Sequence, residues 1–113
     1  MGLRDRARRG ARSLPGVARS TPELDHLSEW AAARRGVEGF VEPQTRSTPT
    51  TVVLVAHDGE WTRRRIGSPR DAFDLGRRLG LPVYDVAAVG YPPRMRAWTA
   101  RQREAGRTRS NGG

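Results

Sequence analysis

The sequence has 113 residues, no cysteine and a formal net charge of +9, and all 21 of its cationic residues are arginine. That length allows one domain with a modest core, and the missing thiols exclude disulfides, thiolate metal sites, cysteine nucleophiles and redox switches. No apolar run approaches the roughly 20 residues that span a bilayer, and the basic stretch Met1 to Ser20 lacks the apolar core of a secretory signal, so a cytoplasmic protein with no membrane partner is expected.

The arginines are unevenly placed. Residues 1–20 carry six against one aspartate and residues 91–113 six against one glutamate, whereas 21–90 hold nine arginines against ten acids. Positive charge therefore belongs to the two ends. It is either a device for holding polyanions or a by-product of GC-rich coding, which favours arginine codons. Residues 1–20 contain Leu3, Leu14 and Val17 as their only larger apolar side chains after Met1. Such a segment buries too little to offset its ordering entropy and is expected to be disordered.

Thr21-Pro22 predicts a helix start, a capping hydroxyl followed by a proline whose φ suits the first turn. Leu24, Leu27, Trp30 and Ala31 form the inward stripe, Glu23 and Asp25 lie near the positive end of the dipole, and Arg34 and Arg35 near its negative end. Gly36 is placed to close the helix. Val37 to Pro43 reads as a strand, Gln44 to Pro49 as a polar loop, and Thr51 to His57 as a central strand, because Val52 to Val55 are apolar on both parities. Asp58-Gly59 fits a two-residue hairpin turn, with Glu60 to Ile66 returning antiparallel.

In that register Ala56 faces Trp61, Leu54 faces Arg63 and Val52 faces Arg65. Trp61 and Ile66 differ in parity, so a regular strand sends them to opposite faces unless a bulge intervenes. The preferred arrangement puts Trp61, Arg63 and Arg65 on the more open face. Ser68-Pro69-Arg70-Asp71 then starts a second helix, with Ala72, Phe73, Gly76 and Leu79 inward and an Asp74–Arg78 surface pair. Gly80 ends it. A short strand over Val83 to Val86 precedes a last helix from about Arg94 to Ala105, with the stripe Met95, Trp98 and Gln102.

These elements predict an α+β fold: an N-terminal helix, a three-stranded antiparallel meander, a helix, a short strand and a C-terminal helix. The single domain spans residues 21–105, between the basic arm 1–20 and a disordered tail 106–113.

Three surfaces stand out. Trp61 with Arg63 and Arg65 would suit stacking of a base and neutralisation of phosphates; equally, Trp61 can be core and the arginines a charged sheet edge. Gly67-Ser68 at a helix start, with Arg65 and Arg70 nearby, offers backbone N–H groups to an anion, or is a plain capping box. The C-terminal helix carries Arg94, Arg96, Arg101 and Arg103, which can follow a phosphate backbone or meet an acidic protein partner. Catalysis has little support. His26 and His57 have no third ligand for a metal, His57 and Glu60 read as a cross-strand surface pair, and no nucleophilic triad or cofactor motif is present.

The runs Glu38-Gly39-Phe40-Val41-Glu42-Pro43, Thr51 to Ala56, Asp58 to Arg65, Pro82 to Asp85 and Gly90 to Arg96 resemble a family of small actinobacterial proteins over roughly residues 24–100. That resemblance implies no established activity; some members carry the name oxidoreductase, which no residue here supports. In order of elements the chain also resembles double-stranded-RNA-binding domains and, equally at the level of topology alone, the arm-binding domains of phage-type integrases. Where the RNA-binding family has its contacts, this sequence has Ser68-Pro69-Arg70-Asp71 and Gln44-Thr45-Arg46-Ser47. Fold does not fix function. The functional expectation is a small basic accessory protein binding RNA or DNA through its arginine-rich ends, with no cofactor. The alternative is a non-enzymatic protein–protein interaction module docking through the sheet or the C-terminal helix.

Overall fold

In the computed structural model, residues 21–112 are described, with side chains as far as residue 107. The basic arm expected over residues 1–20 lies outside the described residues. Helix α1 spans Pro22–Ala32 and begins as its cap sequence dictates, the Thr21 hydroxyl accepting from the Leu24 N–H at 3.1 Å. Leu24, Leu27 and Trp30 are its buried face. The helix ends earlier than Gly36 would require: Ala33 is the C-cap, and Arg34 and Arg35 lie beyond the last turn. Gly36, at φ +61°, instead turns the chain into the sheet, and a Cβ there would come within 2.9 Å of the His57 Cβ.

Strands β1 (Glu38–Glu42), β2 (Thr51–Val55) and β3 (Trp61–Arg65) form the expected antiparallel meander. β4 (Val83–Asp85) joins it parallel to β1, giving a four-stranded mixed sheet in the order β3-β2-β1-β4. The fold is α+β. β2 is central and buried on both faces, as its unbroken apolar run requires.

The hairpin differs from expectation in loop and register. Ala56 and Glu60 pair across a three-residue loop, His57-Asp58-Gly59, in which the Gly59 N–H donates to the Ala56 carbonyl at 2.9 Å and Gly59 has φ +96°. A two-residue type I′ turn would need positive φ at Asp58 as well, and among the described residues only glycines have it. The register therefore moves by one residue: Trp61 faces Val55, Arg63 faces Val53 and Arg65 faces Thr51. The shift exchanges the faces of β2, so Trp61 and Arg63 share a side with Val55 and Val53 instead of Ala56 and Leu54, while Trp61 and Ile66 still point to opposite sides as parity requires. Ile66 joins Val52, Leu54 and the helices, while Trp61 packs with Phe40, Val53 and Val55 on the other side.

Helix α2 (Pro69–Leu79) is capped by Ser68, whose Oγ accepts from the Asp71 N–H at 3.1 Å, and is closed by Gly80 at φ +71°. It lies with α1 on the Val52–Leu54 face. Its inward set includes Leu75 and Asp74 as well as Ala72 and Gly76, so Asp74 is not the surface residue expected; it pairs with Arg77 rather than Arg78. Gly76 sets how closely α2 approaches β4. A Cβ at this position would lie 2.4 Å from Val83 Cγ2 and 2.9 Å from the Leu81 carbonyl oxygen. Gly76→Ala is thus expected to cost about 1–2 kcal/mol in urea unfolding, despite the helix-propensity gain of roughly 1 kcal/mol. A more stable variant would mean that Val83 yields and the close approach does not hold β4.

A short helix α3 (Val86–Val89), capped by the Asp85 carboxylate, leads to α4 (Pro93–Gly112). α4 does not stop at Ala105; helix continues to Gly112, over the stretch expected to be an unstructured tail. A Cβ at Gly106 would meet nothing within 4 Å apart from its own stretch of helix.

Candidate nucleic-acid interface

The first turns of α4 are fastened to the hairpin end of the sheet. Arg94 donates from Nε to the Ala56 carbonyl at 2.9 Å and from Nη2 to Glu38 at 2.7 Å. Met95 packs on the Phe40–Val53–Val55 cluster, and Trp98 stands over Gly59. The Trp61 indole N–H donates to Thr99 Oγ1 at 3.0 Å, and Arg101 to the Asp58 carbonyl at 2.9 Å. Gln102, expected in the docking stripe, is exposed; Arg94 and Thr99 make the contacts in its place.

A polar cluster sits beside this junction. Arg63 grips Glu42 with two hydrogen bonds, Nε to Oε1 at 2.8 Å and Nη2 to Oε2 at 2.9 Å, and its guanidinium lies 5.2 Å from the Trp61 ring centroid. Thr51 and the Tyr91 phenol donate to the same carboxylate. Burial pushes the Glu42 carboxyl up, but the hydrogen bonds from Arg63, Thr51 and Tyr91, with the Arg63 charge, outweigh it and bring the pKa down to about 2. Burial and the bond to Glu42 raise the Tyr91 phenol, so it stays protonated and donating.

These contacts sort the eight residues named from sequence. Trp61, Arg63 and Arg94 are engaged within the fold, and Arg101 reaches back to the loop carbonyl. Arg70 is exposed in the first turn of α2, which packs on the opposite face of the sheet from Met95. The helix start beside it is not open to an anion in the manner expected. Asp71 Oδ2 lies 2.5 Å from where a Gly67 Cβ would be, so a carboxylate already covers that spot, and the cap accounts for the sequence. Arg65, Arg96 and Arg103 are exposed and have no hydrogen-bond or ion-pair partner among the described residues. The His57–Glu60 pair is not made: Glu60 bonds Arg34 at 2.8 Å, and Arg34 stacks 4.1 Å from the Trp30 ring centroid. Among the described residues no group of three metal-ligating side chains occurs, and no helix is long and apolar enough to cross a membrane.

What remains is a cationic helix face. Arg96, Ala100, Arg103 and Arg107 fall at i, i+4, i+7 and i+11, one side of α4, and all four are exposed. At 1.5 Å rise per residue the three guanidinium-bearing positions are spaced about 10 Å and 6 Å along the axis. Glu104 is off this line and only 3.6 Å from Arg107, an exposed pair worth little. Tyr91, Met95, Arg96, Thr99, Ala100 and Arg103 line a cleft of about 580 Å³ beside it. Sequence reasoning passed over Tyr91 and Arg107. The usable signal was an aromatic held extended before Pro92-Pro93 and an arginine one helical repeat beyond Arg103. No family model matches the chain, and no curated protein or solved structure is significantly similar to it.

Proposed function

We propose that this is a cytoplasmic, non-enzymatic nucleic-acid-binding protein whose attachment surface is the Arg96–Arg103–Arg107 face of α4. The observation that carries the reading is the alignment of three exposed arginines on one side of a helix whose opposite contacts are already spent on the sheet. Guanidiniums in a row and open to water gain most from a partner that is itself a line of charges, because each neutralised phosphate releases counterions. Arg65 adds a further exposed cation on the sheet face that carries Trp61. Positive charge at this end is then functional rather than a coding by-product. The basic arm 1–20 would add affinity without setting geometry.

Affinity for labelled RNA and DNA, measured from about 20 to 200 mM salt, tests this. Binding is expected to weaken steeply with salt, and Arg96→Ala and Arg103→Ala each to flatten the logarithmic salt slope by roughly 0.7–0.9. Arg70→Ala should leave the slope of the folded domain unchanged. No binding at the lowest salt would end the proposal. A salt-tolerant complex with a protein in its place would point to the docking alternative.

A further inference from the structure

We infer that the cleft beside the arginine face receives an unpaired nucleobase, so that the protein selects single-stranded nucleic acid over duplex; this rests on the polyanion reading above. The cleft joins two chemistries that phosphate binding alone does not need. Its lining combines the apolar or aromatic Met95, Ala100 and Tyr91 with the cationic Arg96 and Arg103, and Thr99 completes it. Tyr91 is one of the few large side chains with apolar surface left exposed, at 39%. Its hydroxyl is tied to Glu42, which is itself fixed by Arg63 and Thr51. The ring is therefore held in place by its far end while its body stays open. An aromatic platform fixed before binding loses little entropy when a base stacks on it, and stacking tolerates any base because each has a π face.

The position of the ring relative to the charges completes the case. Tyr91 precedes Pro92-Pro93, at the N-terminal end of α4, and lines the same cleft as Arg96 and Arg103. A chain whose phosphates pair with Arg96 and Arg103 runs along the cleft that Tyr91 lines. Bases in a duplex are paired and stacked, so they cannot enter a cleft alongside the backbone they hang from; bases of a single strand splay out freely. Trp61, the aromatic expected from sequence to stack a base, cannot take that part, since its N–H is bonded to Thr99 and its ring faces Arg63.

Fluorescence anisotropy with a labelled 12-nucleotide oligo-dU, the matching duplex and heparin, each at low and near-physiological salt, tests the inference. The single strand is expected to bind at least tenfold tighter than the duplex. Tyr91→Leu should weaken single-strand binding about fivefold to a hundredfold, the range for one stacked base, with the salt slope unchanged. Tyr91→Phe keeps the ring but frees it from Glu42, so it should weaken single-strand binding clearly less than Tyr91→Leu; circular dichroism on both variants checks that α4 is intact. Equal affinity for strand and duplex, or a preference that survives Tyr91→Leu, overturns base stacking while leaving the polyanion reading standing. So does heparin binding with the same dependence on Tyr91, since heparin has no bases. If neither nucleic acid binds at low salt, both readings fall.

Discussion

Gly59→Ala is expected to destabilise the protein by about 3 kcal/mol or more and to release α4 from the sheet. Two independent effects add at this position. The residue sits at φ +96°, where an L side chain is strained by an amount of order 1–3 kcal/mol. A Cβ there would also lie 2.0 Å from the Arg94 carbonyl oxygen and 2.9 Å from the Trp98 Cβ. The first is backbone at the start of a helix pinned by Arg94 and Thr99, so no side-chain rotation relieves the clash. Urea unfolding followed by tryptophan fluorescence reads the loss, and faster backbone amide exchange in residues 94–101 reads the release. Near-wild-type stability would mean that the hairpin loop and α4 are not in the contact described.

The second large effect concerns acid. Glu42 ionises at about 2 in the folded protein against an ordinary 4.5. A group whose folded pKa is lowered contributes stability above its unfolded pKa, and that contribution is lost as pH falls through the folded one. Glu42 should therefore stabilise the sheet by about 1–3 kcal/mol near neutrality, the lower part of that range allowing for solvent around the half-exposed Arg63. This increment disappears between about pH 4.5 and pH 2. Glu42→Gln is expected to lower the urea midpoint at pH 7 and to flatten its decline with acid. If the wild type and the variant lose stability in parallel over that interval, the clasp between β1, β2, β3 and Tyr91 is not what the fold relies on. The same variant loosens Tyr91, so it should also weaken single-strand binding.

Elements governed by local chemistry were legible in the sequence. Thr21-Pro22 and Ser68-Pro69 cap their helices as their side chains require, and the apolar run Val52 to Val55 became the doubly covered strand. The face carrying Trp61, Arg63 and Arg65 was also readable, because parity alone separates Trp61 from Ile66. The register was not, since it turned on whether Asp58 would adopt positive φ, a choice that dipeptide preference leaves open. β4 is three residues long and pairs in parallel with a strand more than forty positions away, beyond the reach of any periodicity. The site was legible only in outline. Arginine on the last helix was plain, but which guanidiniums are spent on Glu38, Glu42 and loop carbonyls depends on tertiary neighbours. Tyr91 gains its fixed pose from Glu42, on a distant strand.

The parallel seating of β4 beside β1 has a kinetic consequence. The β2–β3 hairpin closes a three-residue loop and can form early, whereas β4 must bring together segments separated by the whole meander and α2. Until it arrives, β1 presents the open backbone of Gly39, Phe40 and Val41 to other chains, an invitation to intermolecular pairing. The opposite border, β3, is guarded throughout by three successive arginines. Refolding yield should thus be limited by concentration during the interval before β4 docks, and aggregates formed then should grow from the β1 side.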